Sequence, residues 1–470
     1  MALRFYNTLT RTVQDFTPLK DRKVGMYNCG PTVYNYATIG NFRAFMLADL
    51  LHRYLKFKGF QVTQVMNLTD VGHMTTDADE GEDKMEKAAR QAGKDPWQIA
   101  EFYAQAFFAD IASLRITPAT VYPRATQHVP EMIELIRKLI DRGHAYTAGD
   151  GIYYSVETFP SYGQLSGNTI EKLEAGARIE VNPEKRNPAD FALWKFDPKH
   201  IMQWDSPWGR GFPGWHIECS AMSMKYIGST LDIHTGGEDN IFPHHECEIA
   251  QSEGAFGVPF VRHWLHARFL QVDGGKMAKS LGNFYTVEQL EQLGHPPVAT
   301  RFALLRGHYR QVLNFTLDGL RQAAADVRRL RLFAAELVER ADGAGPPEAP
   351  PAWAAEAWSR FAAGLDDDLN ISAALEAVFG LLHDAHRADA RGADAAAALS
   401  VLRRMDTVLG LLDESPQTLD AEVERLIEQR NAARAARDWK TADSLRDRLA
   451  ELGIELLDGK DGVRWRRTGV

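Results

Sequence analysis

Between residues 24 and 66 the hydrophobic period of the chain changes twice. Val24 to Tyr27 is a short apolar run that ends at the breaker pair Gly30-Pro31. From Gly40 onward, Phe42, Phe45, Met46, Leu50, Leu51, Tyr54 and Phe57 recur at helical spacing, and Gly59 stands where such a helix stops. Val62 to Met66 then reads as a second strand. Strand, helix, strand predicts a βαβ unit, and hence an α/β fold with a parallel sheet of the Rossmann type. Neither a G-x-G-x-x-G nor a G-x-x-x-x-G-K-[ST] run follows the first strand, so nothing here supports dinucleotide binding or P-loop chemistry.

Residues 84–142 are predicted to be mostly helical, with Trp97 to Leu114 and Val129 to Asp141 as the clearest amphipathic pieces. The polar, Gly- and Pro-punctuated stretch from about 143 to 212 reads as an insertion between two halves of the sheet. Sheet-like signals return at Leu231-Asp-Ile-His234 and continue to Phe269-Leu-Gln-Val272. Helices dominate from about Val287 to Ala341. Gly343 to Pro351 (GAGPPEAPP) is a linker, followed by an Ala/Arg-rich helical region to about Leu412. The last fifty residues read as two helices, Gly453 capping the second, and a β-hairpin turning at Gly459 to Gly462. There is no internal repeat. The divisions expected from this pass are 1–115, 116–212, 213–285, 286–342, 343–412 and 413–470.

Composition narrows the class without choosing a function. The chain has 470 residues, 45% of them hydrophobic and 25% charged, which excludes wholesale disorder and collagen-like structure. Val24 to Phe42 is the longest run free of Asp, Glu, Lys and Arg. It holds Asn28, Gly30, Pro31, Asn35, Gly40 and Asn41, too polar to span a bilayer, so no membrane partner is expected. The start, MALRFYNTLT, has no apolar h-region, so a secretory signal is not expected. Three cysteines cannot build a disulfide framework. Scarce cysteines point to a reducing cytoplasm and to metal-ligating or catalytic work. The net charge of −9 argues against a general nucleic-acid coat protein, yet residues 422–470 carry 11 Lys and Arg against 10 Asp and Glu, with Arg464-Trp-Arg-Arg467 near the end.

Four constellations carry candidate chemistry. Thr38-Ile39-Gly40-Asn41 delivers the chain into a helix N-terminus, where unpaired amides and the helix dipole suit phosphate; an ordinary Thr-led helix start is the plainer alternative. Lys276-Met-Ala-Lys279-Ser280 follows the turn residues Asp273-Gly-Gly275, which places two lysines on a tight loop suited to a phosphate-bearing ligand; a solvated basic loop is the alternative. His244 and Glu248 stand at i, i+4, on one face of a predicted helix. With Cys29 at a strand end and Cys219 in Trp215-His-Ile-Glu-Cys they would make a tetrahedral zinc set, although Cys247, three residues from His244, competes with Glu248 for the fourth position. Last, Arg430, Arg434, Arg437, Trp439 and Arg446 suit stacking on and reading of unpaired bases, against the alternative of a salt-bridged surface helix through Glu428, Asp438 and Asp443.

Together these residues resemble the cysteinyl-tRNA synthetases, a family of class I aminoacyl-tRNA synthetases, over essentially the whole chain. Asn28-Cys-Gly-Pro-Thr-Val-Tyr, Gly214-Trp-His-Ile-Glu-Cys-Ser-Ala-Met and Phe242-Pro-His-His-Glu-x-Glu look like that family's metal-bearing segments, and Lys276 to Ser280 looks like its KMSKS loop. Asp367-Asp-Leu-Asn and the C-terminal Arg-x-x-Ala-Arg-x-x-x-Asp-Trp block resemble its helical and anticodon-reading parts. Two positions depart from the pattern. The HIGH motif reads Thr-Ile-Gly-Asn, and Ala278 replaces the middle Ser of KMSKS.

The resemblance implies activation of L-cysteine with Mg-ATP and transfer of the cysteinyl group to tRNA(Cys), by a monomeric cytoplasmic enzyme. It implies one Zn2+ per chain on Cys29, Cys219, His244 and Glu248, which sets Cys247 aside. ATP would be met by Thr38, Ile39, Gly40, Asn41, Lys276 and Lys279. The cysteine pocket would be Cys29, Gly30, Thr69, Trp215 and His234, and the anticodon readers Arg434, Trp439, Asp443, Arg446 and Asp458. A threonine hydroxyl and an asparagine amide can donate to phosphate but carry no imidazolium charge, so a weakened α-phosphate contact with retained activity is expected. The divisions then become the two catalytic halves (1–115 and 213–285) around a connective insertion, a stem-contact helical region, a bundle, and an anticodon-binding unit at 413–470. Two readings compete: a mycothiol-pathway ligase that joins activated cysteine to an amino sugar, and a non-catalytic RNA-binding paralogue.

Overall fold

A computed structural model of the chain describes residues 2–74, 81–168, 182–277, 283–412, 421–435, 438–451, 454–459 and 462–467. Strand Lys23–Asn28, helix Ile39–Phe57 and strand Gln61–Met66 form the βαβ opening, with Tyr27 opposite Val65 in parallel register. Strands Leu231–Gly237 and Val261–Ala267 complete a four-stranded parallel sheet in the order 261–267, 231–237, 23–28, 61–66. Alternation sends Met26, Met66 and Leu265 into one apolar core and Tyr27, Val65 and Trp264 into another. Both faces are buried, as in other parallel sheets, although Gln64, Asp232, His234 and His266 are buried polar residues within the strands. Helix Ile39–Phe57 covers the first face. Helices Val129–Asp141, Trp215–Tyr226 and Glu246–Phe256 supply the second core.

The insertion carries a sheet that its polar sequence did not announce. Ala145–Ala148, Gly151–Tyr154, Phe191–Lys195 and Phe212–Pro213 pair antiparallel, each too short to show a period. The signal at Phe269 to Val272 also leads elsewhere than expected. Leu270–Val272 pairs with Gly275–Lys276 and Leu313–Phe315 in a separate small sheet, while Val261–Ala267 forms the edge of the main one. Asp273 and Gly274 turn that hairpin with φ of 51° and 77°, the mirror-image turn that suits an Asp-Gly pair.

Helices Val287–Gln292, Pro297–Leu305 and Leu317–Ala341 precede the linker, and Ala352–Asp366, Ile371–Arg387 and Gly392–Leu409 follow it. The linker does not separate two cores: Leu365, Leu381 and Leu402 pack in the same apolar cluster as Phe42 and Leu51. A buried arginine latches this junction. Arg301 Nη2 meets Asp49 Oδ2 at 2.6 Å, while its other nitrogens donate to the carbonyls of Leu409 (2.7 Å), Leu114 and Arg115 (3.1 Å each). Arg53, Arg115 and Arg331 donate to the carbonyls of Thr407, Leu412 and Leu411. Gly410, at φ 66°, ends the last bundle helix against the Arg301 guanidinium, 3.2 Å from where a Cβ would stand.

Beyond this latch, helices Ala421–Ala435 and Trp439–Glu451 and the hairpin Ile454–Gly459/Gly462–Arg467 enclose a small core of Leu426, Leu449, Ile454 and Leu456, with Gly459 opposite Gly462 as expected. Gly453 lies outside the described residues. Among the described residues no helix is long and apolar enough to cross a membrane.

Candidate metal centre and nucleotide site

From strand Lys23–Asn28 the sheet grows in opposite directions, to Gln61–Met66 on one side and Leu231–Gly237 on the other. The crevice outside the carboxyl ends at such a reversal is where open α/β sheets bind ligands. Cys29 sits there, directly after the strand, its amide donating to the Thr235 carbonyl at 3.2 Å. Gly30 must be glycine: a Cβ would lie 1.7 Å from the Asn67 carbonyl oxygen. Cys219 comes from the middle of helix Trp215–Tyr226. His244 lies in a π-helical turn, Ile241–His245, that runs into helix Glu246–Phe256, rather than on a regular α-turn as its spacing predicted. Its Nε2 nevertheless reaches Glu248 Oε1 at 3.1 Å.

Cys29, Cys219, His244 and Glu248 bring one donor atom each within 4.8 Å of the others. Cys219 Sγ is 3.4 Å from His244 Nε2, and Cys29 Sγ is 3.9 Å from Glu248 Oε1. A tetrahedral zinc with bonds of about 2.0–2.3 Å has donor–donor edges of roughly 3.5 Å, so the set fits that ion. Among the described residues Cys247 belongs to no such group. It is buried on the far side of its helix, with Sγ 3.5 Å from Tyr162 Oη.

Charge in this cradle is tightly balanced. Burial would raise Glu248, but the imidazoles of His234 and His244 outweigh it and hold the carboxyl at about 2. Burial would lower His244, but Cys219 and Glu248 raise it to about 10. Burial pushes the Cys29 thiol well up, reinforced by Cys219. Cys219 moves down instead, because the hydrogen bond from Cys29 and the nearby His244 outweigh burial. Two sulfurs, a carboxylate and an imidazole thus face one another at close range in a buried volume, a donor set chemically suited to a cation.

The expected cysteine pocket borders this set. The Trp215 ring stacks on His244 at 4.3 Å and on His73 at 4.1 Å. The His234 ring stacks on Trp264 at 4.6 Å, and its Nε2 reaches Glu248 Oε2 at 3.0 Å. Thr69 is committed elsewhere: its hydroxyl donates to Glu218 Oε2 at 2.9 Å and accepts from Asn67 Nδ2. Sequence reasoning missed Glu218, Asn67, His73, His245 and His266. Glu218 was detectable as an acid inside a buried helix segment directly before Cys219, where burial pushes its carboxyl well up. His245 and His266, joined at 2.7 Å, had no signal beyond residue type.

At the other end of the crevice, Thr38 caps helix Ile39–Phe57. Its hydroxyl donates to Asn41 Oδ1 (2.9 Å) and accepts the Asn41 amide (3.4 Å), while Asn41 Oδ1 also takes the Thr38 amide (2.9 Å). Thr38 therefore spends its hydroxyl proton on the capping box instead of offering it outward as expected. Asn41 is exposed, and its Nδ2 remains the outward donor. The Ile39 amide goes to the Tyr285 carbonyl at 3.1 Å. Lys276 is exposed on its hairpin, and a Cβ at Gly40 would be 3.0 Å from Met277 Cε, so the lysine loop begins against the helix N-terminus. Ala278, Lys279 and Ser280 lie outside the described residues.

In the C-terminal unit Trp439 is 58% exposed, and the exposed Asp443 and Arg446 share its helix face at i+4 and i+7. Arg434 is half-buried on the neighbouring helix. Arg430 is buried and donates to Asn431, which removes it from the candidate readers. Arg437 and the side chain of Asp458 lie outside the described residues.

The sheet, its insertion and the helical C-terminal parts define a class I aminoacyl-tRNA synthetase. The structure superposes on Mycobacterium tuberculosis methionyl-tRNA synthetase in complex with methionyl-adenylate (TM-score 0.61, 16% identity, 83% of this chain and 90% of that one). It also superposes on the Agrobacterium radiobacter K84 LeuRS–tRNA–LeuAMS ternary complex (TM-score 0.64, 11% identity, 84% and 85%). At these identities the likeness concerns the fold alone. The family described as tRNA synthetases class I (C) catalytic domain matches residues 15–325, a DALR domain matches 360–413, and a cysteinyl-tRNA ligase anticodon binding domain matches 417–466. Cysteine--tRNA ligases of Symbiobacterium thermophilum (46% identity, 100% of both chains) and Salinibacter ruber (44%, 99% of this chain and 98% of the other) match end to end, as does one from Thermus thermophilus (44%, 99% of both). The chain belongs to the cysteinyl-tRNA ligase family.

Proposed function

We propose that the chain activates L-cysteine and transfers it to tRNA(Cys). In the first step a cysteine carboxylate oxygen attacks the α-phosphorus of Mg-ATP, and the bond to the β-phosphate breaks with loss of pyrophosphate. In the second, a ribose hydroxyl of the terminal adenosine of tRNA attacks the adenylate carbonyl, and AMP leaves. No protein nucleophile takes part, so catalysis is positioning plus charge stabilisation. With the Ile39 and Asn41 amides already engaged, the Gly40 amide and Asn41 Nδ2 are the helix-terminal donors for phosphate. Lys276 and Lys279 add the positive charge.

Cys29, Cys219, His244 and Glu248 would hold one zinc ion, which when bound supplies a preference for thiolate sulfur over a hydroxyl. Packing by size alone separates near-isosteres by only about 10². Trp215 and His234 would wall the cysteine side chain, with Gly30 letting the backbone approach and Thr69 acting through Glu218. Arg434, Trp439, Asp443, Arg446 and Asp458 would read the anticodon, in a unit spanning about 413–470 beyond catalytic halves 1–115 and 213–285. The setting is a monomer in the cytoplasm.

The observation that carries this reading is the convergence of the two-Cys, His, Glu set at the crevice of the sheet. The test is cysteine-dependent ATP–pyrophosphate exchange followed by tRNA charging. Lys279→Ala should slow adenylate formation with little change in cysteine affinity. Exchange with transfer only to an amino sugar would identify the sugar ligase instead. tRNA binding without exchange would identify a non-catalytic paralogue.

A further inference from the structure

The cradle brings together more potential ligand atoms than one tetrahedral ion uses. Cys29 and Glu248 also belong to a second four-donor group, with His234 and His245, whose donor atoms again lie within 4.8 Å of one another. The carboxylate of Glu248 touches members of both groups: Oε1 lies 3.1 Å from His244 Nε2 and 4.0 Å from His245 Nε2, and Oε2 lies 3.0 Å from His234 Nε2. Cys29 Sγ is 3.1 Å from His245 Nε2. His245 is oriented from behind, its Nδ1 meeting His266 Nε2 at 2.7 Å and His266 Nδ1 meeting the Thr8 hydroxyl at 2.8 Å. Such a chain behind an imidazole fixes the tautomer and aim of metal-ligating histidines. His234 is fully buried and held between Tyr27 and Trp264, with Nδ1 unpartnered.

We propose that Cys29, His234, His245 and Glu248 form an accessory metal position that takes a second divalent ion, zinc or cobalt, when that metal is abundant. Glu248 bridges the two ions through its separate oxygens and Cys29 through its sulfur, an arrangement that places paired ions about 3.5–4 Å apart. The inference rests on the first ion occupying Cys29, Cys219, His244 and Glu248. Because both positions draw on Cys29 and Glu248, filling the second weakens the donors of the first. Apparent cysteine affinity is therefore expected to fall as free zinc rises.

The test is equilibrium dialysis of the full-length chain, stripped by chelator, against rising Co2+ or Zn2+, with metal counted per chain and the cobalt thiolate charge-transfer band recorded. The expected result is two ions, the second more weakly held, with a lower charge-transfer intensity per cobalt once the second enters, since it adds no new thiolate. His245→Gln should stop at one ion. Cys219→Ser should keep only the weaker one, with a one-thiolate spectrum. His266→Gln, which removes only the orienting contact, should weaken the second ion by about 10–100-fold and spare the first, so the proposal does not hang on one substitution. A single ion lost in Cys219→Ser would overturn the accessory position and leave the first assignment standing. A single ion retained in Cys219→Ser but lost in His245→Gln would overturn the first assignment as well. No bound metal at all would overturn both.

Discussion

The guanidinium of Arg301 and the carboxylate of Glu248 are both fully buried, yet they keep opposite company. Arg301 faces one carboxylate, Asp49, and three backbone carbonyls, so a donor is ringed by acceptors that the fold itself supplies. Glu248 faces His234, His244 and Cys29, side chains whose metal-ligating atoms converge on the same small volume. A buried polar group costs several kcal/mol unless it is paired. The latch around Arg301 meets that cost internally and ties the segment 407–412 to helix Ile39–Phe57. The cradle around Glu248 meets it with the imidazoles of His234 and His244, and gathers soft and imidazole donors suited to a cation from outside. Self-sufficiency in a buried polar cluster marks structure; convergence of like lone pairs marks a binding site.

The largest expected effect separates the latch from the C-terminal unit beyond it. A chain ending at Leu412 retains every carbonyl the arginines hold, so cysteine-dependent pyrophosphate exchange should stay within a few-fold. Its tRNA charging should fall by several powers of ten, since each base-edge contact is worth about 1–3 kcal/mol. Equal charging by truncated and full-length chains would end the anticodon role of the C-terminal unit.

Next in size is the latch itself. Arg301→Met leaves the buried Asp49 with Arg53 as its one remaining cation and the Thr117 amide as a neutral donor, and should cost about 3–5 kcal/mol, read as a fall in Tm, with zinc content unchanged. Asp49→Asn in that background should recover part of the loss. An unchanged Tm in the single variant would show that the junction is held by apolar packing instead.

Breaking the cradle should do the reverse, with a modest change in Tm and a large one in selectivity. Cys219→Ser should lose the tightly held zinc and let discrimination against serine drop toward the roughly 10² that size alone provides. Cys247→Ser should keep both. Metal analysis and exchange with the two amino acids decide it, and reversed results would reassign the ligand.

The smallest effect tests whether a half-buried acid outside both clusters behaves by the same rule. Burial, with Glu288 and Glu291 nearby, pushes Asp110 up to about 7 from its ordinary 3.8. A carboxyl raised in the folded state binds its proton more tightly there, so its contribution favours folding at low pH and is lost as pH rises from about 4 to about 7. Asp110→Asn should therefore raise Tm by about 1–2 °C at pH 8 and leave it nearly unchanged at pH 4, as thermal unfolding at both values would show. A gain confined to pH 4 would invert the sign.

The βαβ opening, the linker, the hairpin turns and Cys29, Cys219 and His244 of the first donor set were legible in the sequence, whereas local spacing left Glu248 open against Cys247. Each rests on local rules: apolar period, turn chemistry at Asp273-Gly274 and Gly459 to Gly462, and the scarcity of cysteine. The antiparallel sheet of the insertion was not legible, because strands as short as Phe212–Pro213 carry no period. Arg430, one of the arginines in the candidate base-reading constellation, could not be told apart from its neighbours, because exposure cannot be counted along a helix whose partner helix is unknown; folding buries it.

Local chemistry thus marked which residue types are candidates for holding a metal, a phosphate and a nucleic acid, and which family the chain resembles. Tertiary structure decided how they are used. The alternative between Cys247 and Glu248 is a question of which side of one helix faces Cys29, and Cys29 arrives from a strand more than two hundred residues away in sequence. Thr38 looked like a phosphate donor until Asn41 folded back to take its proton. His245, His266 and Thr8 have no common signal along the chain, because they meet only where strand Val261–Ala267 and the turn at Ile241–His245 close on the N-terminal segment. Sequence periodicity sets which face a side chain takes on its own element, while the distance between two elements depends on packing that no local pattern encodes.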